Sequence, residues 1–163
     1  RKMQNKPQLG SISSGTHLPE DLIPAFAEEL ERLSKDANGQ VADNDTRRLL
    51  ERADELTEAG FEDADEADLD GLQEDLFIAL EELAPPFVYF GTSPGDGADF
   101  GFWPAIEALE DAVRFSEVTQ SEDSPEGAPK GDEPGTWMQV NDHGNVTLWE
   151  FDGTAWREVW SCV

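Results

Sequence analysis

The chain has 163 residues and a formal net charge of −26, from 37 Asp and Glu against 11 Lys and Arg. A charge of that size repels nucleic acid and anionic membranes and attracts cations and basic proteins, so direct nucleic-acid binding and membrane association are excluded as expectations. The apolar share is 37%, with five Trp and nine Phe, enough to build a core.

The single cysteine, Cys162, excludes an internal disulfide framework and fits a reducing, cytoplasmic setting. Arg1-Lys2-Met3 leads into no apolar stretch, so no signal peptide is expected, and no apolar run approaches the ~20 residues of a membrane span.

In chain order, residues 1–16 are polar and Gly/Ser-rich, with one short extended piece expected around Ile12. Leu22, Phe26, Leu30 and Leu33 fall at helical spacing and predict a helix over 19–33. Pro24 lies inside it and predicts a kink or a later start. A second helix is expected over 45–59, with Leu49, Ala53 and Leu56 inward and Gly60 as its stop; it carries Arg47, Arg48 and Arg52. A third runs over 65–83 on the stripe Leu69, Leu72, Leu76, Leu80, Leu83 and ends before Pro85-Pro86.

The pattern then changes to period two. Phe87–Phe90 and Phe100–Trp103 are short aromatic strands about the turn-rich stretch 91–97. Pro104 opens a fourth helix with Ile106, Leu109 and Val113 inward. Residues 119–135 hold Ser, Glu, Asp, Pro and Gly with almost nothing apolar, and predict a flexible acidic linker. Trp137–Val140, Val146–Phe151 and Trp156–Val163 predict a three-stranded meander.

The class expected is therefore α+β, with about four helices and a small, mostly antiparallel sheet that includes the C-terminal meander. The expected organisation is an acidic helical region with an aromatic hairpin over 1–118, the linker over 119–135, and the meander over 136–163 packed in the same domain.

The densest chemistry is an acid run of ten carboxylates without one base: Glu62, Asp63, Asp65, Glu66, Asp68, Asp70, Glu74, Asp75, Glu81 and Glu82. On a helix that run spans ~30 Å, about one charge per 3 Å, close to the ~3.4 Å axial spacing of phosphates on one DNA strand. These ten are the candidate partner-binding residues, with Glu28, Glu29 and Glu31 in support. The competing reading is a solvated face that keeps the chain soluble.

Other chemistry fails on spacing. Glu66–Gly71 begins like a calcium loop, but its twelfth position is Phe77, which cannot ligate. Gly10 to Thr16 has phosphate-loop spacing without the lysine. Only His17, His143 and Cys162 offer N or S to zinc, and no nucleophile motif is present. Neither catalysis, a cofactor nor a metal is expected; the Gly95–Asp99 loop as a weak cation site is the remaining minor alternative. Trp149 and Phe151 face opposite to Val146 and Leu148, so both faces of the middle meander strand carry apolar residues. Either both are covered, or one is an interaction patch, which leaves a homodimer open.

Gly10-Ser11 with Gly15-Thr16, Asp21-Leu22-Ile23-Pro24-Ala25-Phe26, Tyr89-Phe90-Gly91, Gly95-Asp96-Gly97-Ala98-Asp99-Phe100-Gly101-Phe102-Trp103 and Asn141–Leu148 together resemble motifs of short uncharacterised acidic proteins from tailed phages and mobile elements. That resemblance implies a counter-defence setting in the host cytoplasm, of the anti-restriction or anti-CRISPR kind. The partner it implies is a basic nucleic-acid-handling protein of the host, bound by acidic DNA mimicry. The alternative is a phage accessory or assembly protein acting through its aromatic strands.

Overall fold

The computed structural model describes residues 5–127 and 135–162. They form four α-helices and two sheets in two compact units, 1–103 and 104–163, so the α+β class holds. The division falls at Trp103/Pro104 rather than within 119–135.

The first unit begins with β1 (Gly10–Ser13), the extended piece expected around Ile12. Three helices follow: α1 (Pro19–Ser34), α2 (Asn44–Ala59) and α3 (Glu66–Glu82). β2 (Val88–Ser93) and β3 (Asp96–Pro104) then make a hairpin about Pro94-Gly95, longer on both sides than the aromatic runs predict. The sheet order is β1-β3-β2, with Gly10 opposite Phe102 and Ser11 opposite Gly101 in an antiparallel β1–β3 pair.

The period of the apolar residues explains which faces meet. Leu22, Phe26 and Leu30 of α1 and Leu72, Leu76 and Leu80 of α3 are all at most 1% exposed, as the helical stripes require. Phe26 sits edge-on to Phe90 at 5.3 Å and to Phe100 at 5.5 Å, and Phe77 meets Phe90 at 5.2 Å. The helices thus lock onto the sheet through rings in favourable edge-to-face geometry. Pro24 does not delay the helix, which starts at Pro19; the carbonyl left without its donor belongs to Glu20, an exposed residue.

α2 is held less deeply, burying only Ala53 fully. Its start is fixed by Asp43, whose carboxylate accepts from the Thr46 backbone N–H at 2.9 Å and from the Thr46 hydroxyl at 2.8 Å. Those two bonds favour the charged form and hold the Asp43 pKa below the ordinary aspartate value of about 3.9. The cap is therefore complete above about pH 4 and is lost as pH falls through the lowered value. Amide exchange at Thr46 should show this: protection constant above pH 4, falling below it, and absent at every pH in Asp43→Ala.

In the second unit, α4 (Ile106–Arg114) precedes a four-stranded sheet of β4 (Val118–Ser121), β5 (Gly135–Val140), β6 (Val146–Phe151) and β7 (Trp156–Cys162), in that order. β5, β6 and β7 are the expected meander, whereas β4 pairs parallel to β5. The stretch expected as a linker over 119–135 thus begins inside a strand, and Pro125–Gly127 is a 3₁₀ turn. A parallel pair needs a long crossover, which is what a Ser/Pro/Gly-rich segment at this position supplies. Residues 128–134 of that expectation lie outside the described residues.

The register puts Met138, Leu148 and Trp160 side by side on neighbouring strands, each at most 5% exposed. Leu109, Ala112 and Val118 are buried in the same unit. Of the residues expected inward, Leu109 is buried, Val113 is half-buried and Ile106, the first residue of the helix, is 38% exposed; Ala112 is the other buried residue of α4.

Candidate functional site

All ten carboxylates expected to meet a partner are exposed. Glu62 and Asp63 lie in the turn before α3, Asp65 caps it, and the other seven ride on α3, which contains no base.

Three of the ten are engaged within the fold. Asp65 accepts from the Ala67 backbone N–H at 2.8 Å and so caps the start of the helix. Asp75 pairs with Arg52 of α2 at 3.3 Å, each about half exposed. Glu81 accepts from the Phe90 backbone N–H at 2.6 Å, tying the end of α3 to β2. The remaining Glu62, Asp63, Glu66, Asp68, Asp70, Glu74 and Glu82 have no hydrogen bond or ion pair to the described residues. Of the supporting acids, Glu29 is tied to Arg32 at 2.7 Å and Glu31 to Lys35 at 3.8 Å, and Glu28 has no ion pair among the described residues. The Glu29 hydrogen bond also raises the Arg32 pKa.

Helical geometry divides the run into two rows. Glu66, Asp70 and Glu74 recur every fourth residue, and Glu81 continues their line. Asp68, Asp75 and Glu82 recur every seventh. At 3.6 residues per turn the rows lie about 140° apart around the helix, on either side of Ala67, Gly71 and Ile78. Along the first row the charges are ~6 Å apart, so a spacing near 3 Å belongs to both rows together and not to one face. The second row borders α2, where Arg48, Arg52, Leu49, Asp75, Ile78 and Glu82 line an open groove of about 510 Å³.

The other sequence candidates resolve into structure. Glu66–Gly71 are the first turns of α3, not a calcium loop, and Gly10–Ser13 is a strand, not a phosphate loop. Asp96 accepts from the Ala98 N–H at 2.9 Å at the start of β3. Among the described residues no group of three or more His, Cys, Asp or Glu is placed to hold a metal ion. No helix among them is long and apolar enough to cross a membrane.

The aromatic strands also became legible. On the sheet face away from Leu148, Trp137 stacks edge-on to Trp156 at 6.0 Å, and Phe151 meets Trp156 at 5.3 Å. The chain after β4 folds over this face: the Trp137 indole donates to the Asp123 carbonyl at 2.9 Å, and Pro125 is fully buried. The Trp149 indole donates to Gln139 at 3.1 Å. Trp137, Trp149 and Trp156 end up half-buried.

Sequence reasoning missed Ile78 as a surface residue, because its neighbours made it one more apolar position on a helix. A wheel drawn on the leucine stripe would have found it, since Ile78 falls opposite that stripe. No family model, curated protein or solved structure matches the chain.

Proposed function

We propose that the chain is an inhibitor that occupies the basic nucleic-acid-binding cleft of another protein, presenting carboxylates where that cleft expects phosphates. The observation that carries this is the seven exposed carboxylates of 62–82 without partners among the described residues. Glu66 and Asp68, in the first turn of α3, favour the helix dipole, but the row as a whole is not built for stability. Glu66/Asp70 and Asp70/Glu74 are like-charge pairs one turn apart, each costing ~0.2–0.5 kcal/mol. Glu82, in the last turn, opposes the helix dipole.

Solubility alone does not require this arrangement, since a net charge of magnitude about 2–8 suffices for a small domain. The target class, a restriction or CRISPR effector of the host, comes from the sequence resemblance alone. The aromatic alternative is supported less well, because the indole N–H groups of Trp137 and Trp149 are spent within their own unit.

The test is capture from host lysate on the immobilised chain, at 50 and 500 mM salt, with and without duplex DNA. The expected result is a DNA- or RNA-handling protein that DNA displaces, with affinity falling at least ~100-fold over that salt range. Capture that ignores both salt and DNA would sink the proposal.

A further inference from the structure

The groove beside the second acid row holds a feature that a plain polyanion has no use for. Ile78 is 48% exposed at the centre of an acidic helix surface. Its neighbours at i−4, i−3, i+3 and i+4 are Glu74, Asp75, Glu81 and Glu82, so carboxylates surround it on its own helix. Two of these are engaged, Asp75 with Arg52 and Glu81 with the Phe90 N–H. Glu74 and Glu82 are left, one turn before and one turn after Ile78, ~12 Å apart along the axis. Half-buried Leu49 of α2 lies across the groove, and Gly71 and Ala79 leave Ile78 prominent.

We infer that this groove takes a basic amphipathic helix of the partner, anchored by one aliphatic side chain against Ile78 and Leu49. This rests on the mimicry proposal and specifies its partner. The charges set the pattern: a Lys or Arg four residues before the anchor and another four after, to meet Glu74 and Glu82. A helix fits because a groove between two helices takes one lengthwise, and residues at i and i±4 fall on one face. On the α2 wall Arg48 pairs with Asp45, Arg52 pairs with Asp75 and Asp43 caps its own helix, so the carboxylates left to set the occupant's charge are those of α3. Ordinary phosphate mimicry would leave Ile78 bare to water, whereas this occupant covers it.

The probe is a synthetic helical peptide with the pattern Lys-x-x-x-Leu-x-x-x-Lys on an Ala/Gln background, titrated into the full chain and followed by NMR. A second peptide carries Ser in place of Leu. The Leu peptide should bind about fivefold to tenfold more tightly, with shifts centred on Ile78 and Leu49. Ile78→Ser should erase that difference while leaving the Ser peptide's affinity unchanged; should this variant lose its fold, the two peptides on the unaltered chain still decide.

Equal affinities, with shifts spread along Glu66, Asp70 and Glu74, would overturn the anchored helix and leave charge mimicry standing. No shifts with either peptide at low salt would overturn both.

Discussion

Replacing Gly101 by alanine should unfold the first sheet or detach β1 from it. A Cβ at Gly101 would lie 1.9 Å from the Gly10 carbonyl oxygen, 2.8 Å from its carbon and 3.1 Å from the Ser11 Cα. All three are backbone atoms of the paired strand, so no side-chain rotation can relieve the clash. β1 would have to move away, and the Ser11–Gly101 and Gly10–Phe102 pairings would go with it. Overpacking a tight site costs typically 1–3 kcal/mol, and a clash with fixed backbone belongs at or above the top of that range.

Gly71→Ala is the matched comparison. Gly71 lies inside α3 with open space where its Cβ would be, so alanine there should stabilise by about 0.5–1 kcal/mol. Urea melts of the two variants should therefore move in opposite directions. If Gly101→Ala melts like the unaltered chain, the close β1–β3 approach is wrong.

Reversing Glu66, Asp70 and Glu74 to lysine should lower partner affinity at least ~100-fold, because three attractive contacts with a basic cleft become repulsive ones. The fold should survive. All three are exposed, none pairs with a described residue, and one like-charged row replaces another along the helix. Asp75→Lys would be a poorer choice, since it would set a lysine against Arg52 and disturb α2.

The control is the triple reversal of Asp54, Glu55 and Glu58 on α2, which are also exposed and change the net charge equally. If bulk charge drives binding, both triples weaken it alike. If the α3 row is the binding surface, the control should stay within about threefold of the unaltered chain, by measurement of Kd at fixed low salt. Equal losses in the two triples would remove the positional claim.

Much of the fold was legible because it rests on local periodicity. The leucine stripe of 69–80 and the Phe26 stripe fix which helix faces turn inward, and Gly60 and Pro85-Pro86 mark ends that φ and missing N–H groups impose. The meander was legible for the same reason, from alternation and turn residues. β4 was not. Its residues, Val118-Thr119-Gln120-Ser121, carry one apolar side chain, and their strand conformation comes from hydrogen bonding to β5 across a long separation in sequence.

The β7 bulge was equally hidden. Simple alternation sets Trp156 and Trp160 on one face, yet Val159 is left unpaired between Glu158 and Trp160. Trp160 therefore enters the core with Leu148, and Trp156 joins Trp137 on the other face.

For the candidate site, the sequence by itself determined the charge, its concentration over 62–82 and its placement on a helix, because composition and a 3.6-residue period are properties of the chain alone. Only tertiary structure decided which carboxylates are free. Asp75 is matched by an arginine 23 positions away, and Glu81 by a strand N–H nine positions on. The two rows about Ile78 follow from the helical period alone; what the fold added is that α2 borders the second row and Arg52 takes one of its acids, because packing sets which helix stands beside it.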